Sequence, residues 1–271
     1  MMRILSLGAG VQSTTLALMA ARGEIAPIDH AIFADTQSEP AGVYTHLARL
    51  MVPGVLPFPV HIVSKGSLRQ EILDASAGKR GAWGRPPLLI RNPDGSDGMT
   101  RRQCTGDYKV IPIQREIRRL AGISRRSRGP RVPVVEQVIG ISVDEAHRQK
   151  DPPFRWIRFS YPLVESRISR AMCVEKLRTW GWSAPKSACT FCPYHSNAMW
   201  AEMKRSDPVS FTDAVTVDTA LRNGAPFMLR GTPYLHRQRR PLAEIDFEAL
   251  TAFDRAQLDL FGDECEGLCG V

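Results

Sequence analysis

Short apolar runs recur at Arg3–Ser6, His30–Ala34, Val60–Val63 and Val134–Ile141, and segments with apolar residues at helical spacing lie between several of them. Runs of this length and composition are strand-like, and strands that alternate with helices predict a parallel sheet covered by helices. Leu16–Ala20 continues as a helix directly after the first run. Val110–Leu120 mixes apolar and basic positions at helical spacing, with Pro112 tolerable in a first turn, and Ser169–Trp180 reads as another amphipathic helix.

Between these elements, Gly78–Gly98 is rich in Gly, Pro, Asp and Arg with little periodicity and reads as a long loop over an active site or as a disordered insertion. Ser124–Pro133 reads as a basic linker, and the chain beyond Trp200 reads as helical and then irregular. The expected organisation is a main domain over residues 1–200 and a C-terminal extension over 201–271 that ends in a cysteine-containing tail. No internal repeat or low-complexity tract is evident.

A length of 271 residues permits a substantial core. The net charge of +8 favours an anionic partner, either a nucleotide or a nucleic acid. The basic residues cluster at Arg115, Arg118, Arg119, Arg125, Arg126, Arg128 and Arg131, and again at Arg237, Arg239 and Arg240. Such clusters suit either a polynucleotide track or a solvated helix face and loop. No apolar run reaches membrane-spanning length, and residues 1–20 lack the order of a signal peptide, so a cytoplasmic location without membrane contact is expected. In a reducing compartment the six cysteines are metal ligands or reactive thiols rather than disulfides.

Two features carry candidate chemistry. The turn from Ser6 through Gly8, Gly10, Gln12 and Ser13 to Thr14 joins a strand to a helix. Its glycines allow close backbone approach, and the N–H groups and dipole of the helix start favour an anion, although such turns also serve packing alone. The second feature is Cys189-Thr190-Phe191-Cys192-Pro193, a pair of thiols spaced for one metal centre, with Cys104 as a third candidate. Three cysteines can hold a [4Fe-4S] cluster with one iron open, whereas His195 would complete a Cys₃His Zn2+ site, and spacing does not choose among iron-sulfur, zinc and no metal. Cys173, on a predicted helix, reads as a core residue.

Four segments in order resemble the phosphoadenosine phosphosulfate reductase family, within the PP-loop ATP pyrophosphatases. They are the Ser6–Ser13 loop; Phe33-Ala34-Asp35-Thr36-Gln37-Ser38-Glu39-Pro40; Cys104-Thr105 with Tyr108–Pro112, then Gly140–Glu145 and Arg148; and Tyr161-Pro162-Leu163 leading to Cys189 and Cys192. The resemblance implies a Rossmann-like, adenine nucleotide alpha hydrolase-like fold that binds ATP or a related adenine nucleotide at the first loop. In the sulfur-handling branches it also implies an iron-sulfur cluster nearby. The loop is longer than the family pattern, and Gln12 stands where an Asp is usual.

In this reading the loop from Ser6 to Thr14 holds phosphates, and Asp35 contacts ribose or Mg2+. Lys109 and Arg148 neutralise phosphate or sulfate, and Asp144 and Glu145 orient Arg148, bind Mg2+ or cap a helix. Glu264-Cys265 is similar to the reductases' C-terminal Glu-Cys-Gly segment, so Cys265 or Cys269 is a candidate catalytic thiol. The expected activity is ATP-dependent sulfur transfer from a sulfur donor to an adenylated acceptor, a nucleic acid or nucleobase. The alternatives are a sulfonucleotide reductase and a non-enzymatic nucleic-acid-binding module with a structural metal. The sequence leaves the acceptor and the oligomeric state open.

Overall fold

The computed structural model describes residues 1–79, 81, 85–224 and 229–256. Its centre is a parallel sheet of five strands, β1 (Met2–Ser6), β2 (His30–Asp35), β3 (Val60–Ser64), β6 (Val135–Ile139) and β7 (Ile157–Ser160), in the order β3-β2-β1-β6-β7. The expected Rossmann-like α/β fold is therefore present. Parallel neighbours need crossover connections, which from β1 to β6 contain the helices α1 (Val11–Ala21), α2 (Ala41–Leu50), α3 (Leu68–Ser76) and α4 (Ile111–Leu120), and from β6 to β7 only the 3-10 turns of Val143–Arg148.

Side chains along a strand alternate between faces, and both faces of this sheet are covered. Leu5, Ala31, Phe33 and Val138 pack with Leu16, Leu47 and Leu50 of α1 and α2, with Leu163 of the short α5 (Pro162–Glu165), and with Cys173 and Leu177 of α6 (Arg170–Thr179). Ile4, Ile32, Ala34 and Val135 pack on the other side against Ile113 and Ile117 of α4. Cys173 is fully buried in the first layer, as expected of a core residue, and burial pushes its thiol up to about 11. Ser169 caps α6 by accepting a hydrogen bond from the Met172 N–H, which fixes the helix start where its sequence predicts it.

The Gly78–Gly98 segment departs from the expected loop. Leu89–Arg91 (β4) pairs antiparallel with Asp97–Met99 (β5) across an Asn-Pro-Asp-Gly turn, and on its other side with Thr232–Tyr234 (β8). Three-residue strands among turn formers leave no periodicity to read. The buried apolar residues of α3, α7 (Asn197–Ser206), α8 (Pro208–Asn223) and α9 (Phe247–Ala256) join Ile90 and Leu235 in a second core that includes Tyr108, Phe191 and Trp200. Strand β7 also escaped the sequence reading, since it is an edge strand of only four residues whose apolar Ile157 and Phe159 are flanked by Arg155 and split by Arg158. Among the described residues no helix is long and apolar enough to cross a membrane.

Candidate functional site

The strand order reverses beside β1: β2 and β3 extend the sheet on one side, and β6 and β7 on the other. Ligand crevices in such sheets lie beyond the C-terminal strand ends at this switch point. Here the ends of β1 and β6 lie in register, Ser6 opposite Ile139, and the Ser6–Ser13 loop and the segment after Gly140 leave the sheet side by side. A Cβ on Gly140 would lie 3.0 Å from the Ser13 nitrogen, so glycine lets the end of β6 meet the first turn of α1.

Within the loop, the Ser13 hydroxyl accepts from the Gly8 N–H at 3.2 Å, and Ser6 Oγ accepts from Gln137 Nε2 at 2.8 Å. Gly10 precedes α1 without a side-chain cap, which leaves the helix start open to an anion. Thr14 instead points away from the loop, with its hydroxyl 2.9 Å from His46 Nε2 on α2. Gln12 is buried and donates to Glu145 Oε2 at 2.9 Å. The other Glu145 oxygen accepts from Arg148 Nη1. Arg148 is 9 % exposed, and its Nε and Nη2 are buried without a hydrogen-bond partner. A guanidinium held at one nitrogen by Glu145, with its two other nitrogens unused, is suited to an anion. Asp144 faces elsewhere: both its oxygens accept from the Arg170 N–H at the start of α6.

Asp35 ends β2, where its carboxylate accepts from the Gln37 N–H at 2.7 Å and the Tyr44 hydroxyl at 2.8 Å. Burial, then the bond to Asp35, raises the Tyr44 pKa, so the phenol stays a donor. The chain then turns through Thr36 and Glu39 into a deeper cluster. Glu39 Oε1 accepts from Lys109 Nζ at 2.9 Å and from the Thr36 hydroxyl at 3.4 Å, and lies 4.0 Å from Cys189 Sγ. Glu39 Oε2 is buried without a partner. Lys109 comes from a π-helical turn, Gly106–Val110, just before α4, and this wider turn sets its side chain inward.

Cys104, Cys189 and Cys192 line one narrow cavity of about 40 Å³, together with Thr36, Lys109 and Ala188. The three thiols thus meet although Cys104 lies far from the other two in sequence. Cys189 and Cys192 sit in one tight turn, in which the Cys192 N–H donates to the Cys189 carbonyl at 3.0 Å. Burial first, and then the Glu39 charge, pushes the Cys189 thiol well up. Among the described residues no group of three His, Cys, Asp or Glu side chains is disposed around a single metal ion. His195 is buried next to Trp200, with ring centroids 4.6 Å apart.

One short segment joins the two halves of the site. Ser187 lies against the first loop, 3.3 Å from where a Gly10 Cβ would stand, and the next two residues, Ala188 and Cys189, form the cavity wall. The structure therefore gathers Ser6, Gly8, Gly10, Gln12, Ser13 and Arg148 at the switch point, and Lys109, Cys104, Cys189 and Cys192 at the cavity. Thr14 and Asp144 are turned to neighbouring helices. Cys265 and Cys269 lie outside the described residues. The sequence reading did not single out Glu39 as a site residue, although its spacing after Thr36 was a signal, and for Ser187 no sequence signal existed. Neither a family model nor a curated protein sequence matches the chain.

Proposed function

We propose that the protein is an ATP-dependent sulfurtransferase of the PP-loop type, with a [4Fe-4S] cluster held by Cys104, Cys189 and Cys192. The observation that carries this reading is the meeting of three thiols in one cavity whose wall runs directly into the Ser187 contact on the nucleotide loop. Thiolates are soft donors suited to iron-sulfur clusters, and a cluster takes one thiolate per iron, so its ligands need not surround one point. When bound, such a cluster supplies an iron with no protein ligand, able to hold sulfide.

The chain's own groups support the nucleotide step. The α1 N-terminus and the free edge of Arg148 bind the ATP phosphates, and Glu145 fixes that edge. An acceptor carbonyl oxygen attacks the α-phosphorus and pyrophosphate leaves. A sulfur nucleophile then adds to the same carbon, and AMP departs with the former carbonyl oxygen. Lys109, held by Glu39 beside Cys189, places a positive charge next to the thiolates and offsets the cost of ionising them.

Anaerobic purification with iron and sulfide analysis tests the cluster, and Cys104→Ser, Cys189→Ser and Cys192→Ser should each lose it. Zinc without iron would overturn the cluster reading. Pyrophosphate release from ATP that depends on an acceptor supports transfer, whereas sulfite release from a sulfonucleotide would replace it with the reductase reading.

A further inference from the structure

A second, open groove of about 670 Å³ runs along the free edge of β7, and no step proposed above uses it. Its lining combines four cations, Arg131, Lys150, Arg155 and Arg158, with three aromatic rings, Phe154, Phe159 and Tyr161. All four cations are exposed. Only Arg158 has a carboxylate partner, Glu136, and among the described residues no ion pair engages Arg131, Lys150 or Arg155. Asp151 is the one acid in the lining.

The aromatic floor is fixed. Phe154 stacks on buried Trp156 with centroids 5.4 Å apart, and Phe159 meets Tyr161 edge to face at 6.4 Å. The Tyr161 hydroxyl accepts from the Lys150 N–H and donates to the Lys150 carbonyl, which pins the opposite wall. Arg118 lies over the Trp156 ring and donates to the Ser124 and Ser127 carbonyls. This contact holds the loop carrying Arg125, Arg126 and Arg128 beside the groove and extends its positive surface.

We infer that this groove binds a single-stranded polynucleotide. Exposed cations spaced along an open track match a phosphodiester backbone, and the half-exposed rings of Phe154 and Phe159 among them offer platforms for unpaired bases, whose faces a duplex keeps stacked, while the buried Tyr161 only supports that floor. A peptide adding to the β7 edge fits less well, because Arg158 in the strand and Pro152-Pro153 before it are devices that protect edges from pairing. Lys150 in the groove lining is two residues past Arg148 in the chain, which ties the groove to the segment that also builds the switch-point site. In that respect the inference rests on the transfer reading and names its acceptor class, but the binding itself needs neither ATP nor metal.

The test is fluorescence anisotropy of the full chain with a labelled oligothymidylate of about fifteen nucleotides, without ATP. Binding should weaken with salt along a log–log slope of about −3, from about −0.7 for each of four phosphate contacts. Arg131→Ala with Arg155→Ala should weaken binding at least about tenfold and reduce the slope by about 1.4. Phe159→Leu should weaken it about fivefold or more with the slope unchanged, since it removes only stacking. Arg237→Ala with Arg240→Ala removes the same net charge elsewhere and should have no effect. Equal loss in that control, tighter binding of a duplex of equal length, or an unaffected Phe159→Leu protein with a wild-type melting curve would each overturn the inference. So would self-association through this edge, seen as a dimer that Arg131→Ala with Arg155→Ala dissociates. Oligonucleotide binding without acceptor-dependent pyrophosphate release would defeat the transfer reading alone, and transfer to a free base without oligonucleotide binding would defeat this one alone.

Discussion

Lys109 Nζ lies 2.9 Å from Glu39 Oε1, in an ion pair whose side chains are 7 % and 1 % exposed. The pair joins the strand-end turn after β2 to the π-helical turn before α4, beside Cys189. A buried charge left alone costs far more than the pair gains, so Lys109→Met should destabilise the protein by about 3–5 kcal/mol in urea denaturation. Adding Glu39→Gln should restore most of that loss. Equal stability of single and double variants would show that the two charges are not coupled.

Gln12 donates its buried side-chain amide to the Glu145 carboxylate at 2.9 Å and brings no charge of its own. In Gln12→Glu two carboxylates would face each other, raising the pKa of one above its unfolded value. Stability relative to wild type should then be lowest at neutral pH and recover as pH falls through about 6 to 4, where one carboxyl holds a proton. Melting temperatures across that range are the measurement. A deficit independent of pH would mean that the packing, not the charge, was lost.

His46 and His236 are both buried, and burial holds each at a pKa of about 4, below the ordinary imidazole value. Because the folded pKa is depressed, their contribution to stability is complete above about pH 6.5 and is lost as pH falls toward 4. His46→Gln keeps a partner for the Thr14 hydroxyl without a titrating ring. It should flatten the acid side of the melting-temperature profile while costing stability at pH 7, and an unchanged acid slope would exclude His46 as a contributor.

A methyl group on Gly140 would press on the backbone of Ser13 and Gln12, at 3.0–3.3 Å. Backbone cannot give way as a flexible side chain can, so Gly140→Ala should destabilise by about 1–3 kcal/mol. It should also displace the α1 start from the end of β6 and weaken ATP binding in isothermal titration. Wild-type affinity in a folded variant would place the phosphate site elsewhere.

The sequence by itself determined four of the five strands of the parallel sheet and the helices α1, α4 and α6. Arg3–Ser6, His30–Ala34 and Val60–Val63 are apolar enough to read as strands, and Ser169 with the spacing behind it marks a helix start, because these signals are local. Strand β7 and the short β4, β5 and β8 were not legible, since their pairing partners, not their own composition, make them strands. The candidate chemistry divides in the same way. The Cys189–Cys192 turn and the loop from Ser6 to Ser13 can be read from neighbouring residues. Only the tertiary structure decided that Cys104 joins the pair, that Glu39 takes Lys109, that Thr14 turns to His46 and that Ser187 ties the loop to the cavity. Each of these depends on where a crossover returns the chain, and that is set by packing on the two sheet faces rather than by spacing along the sequence.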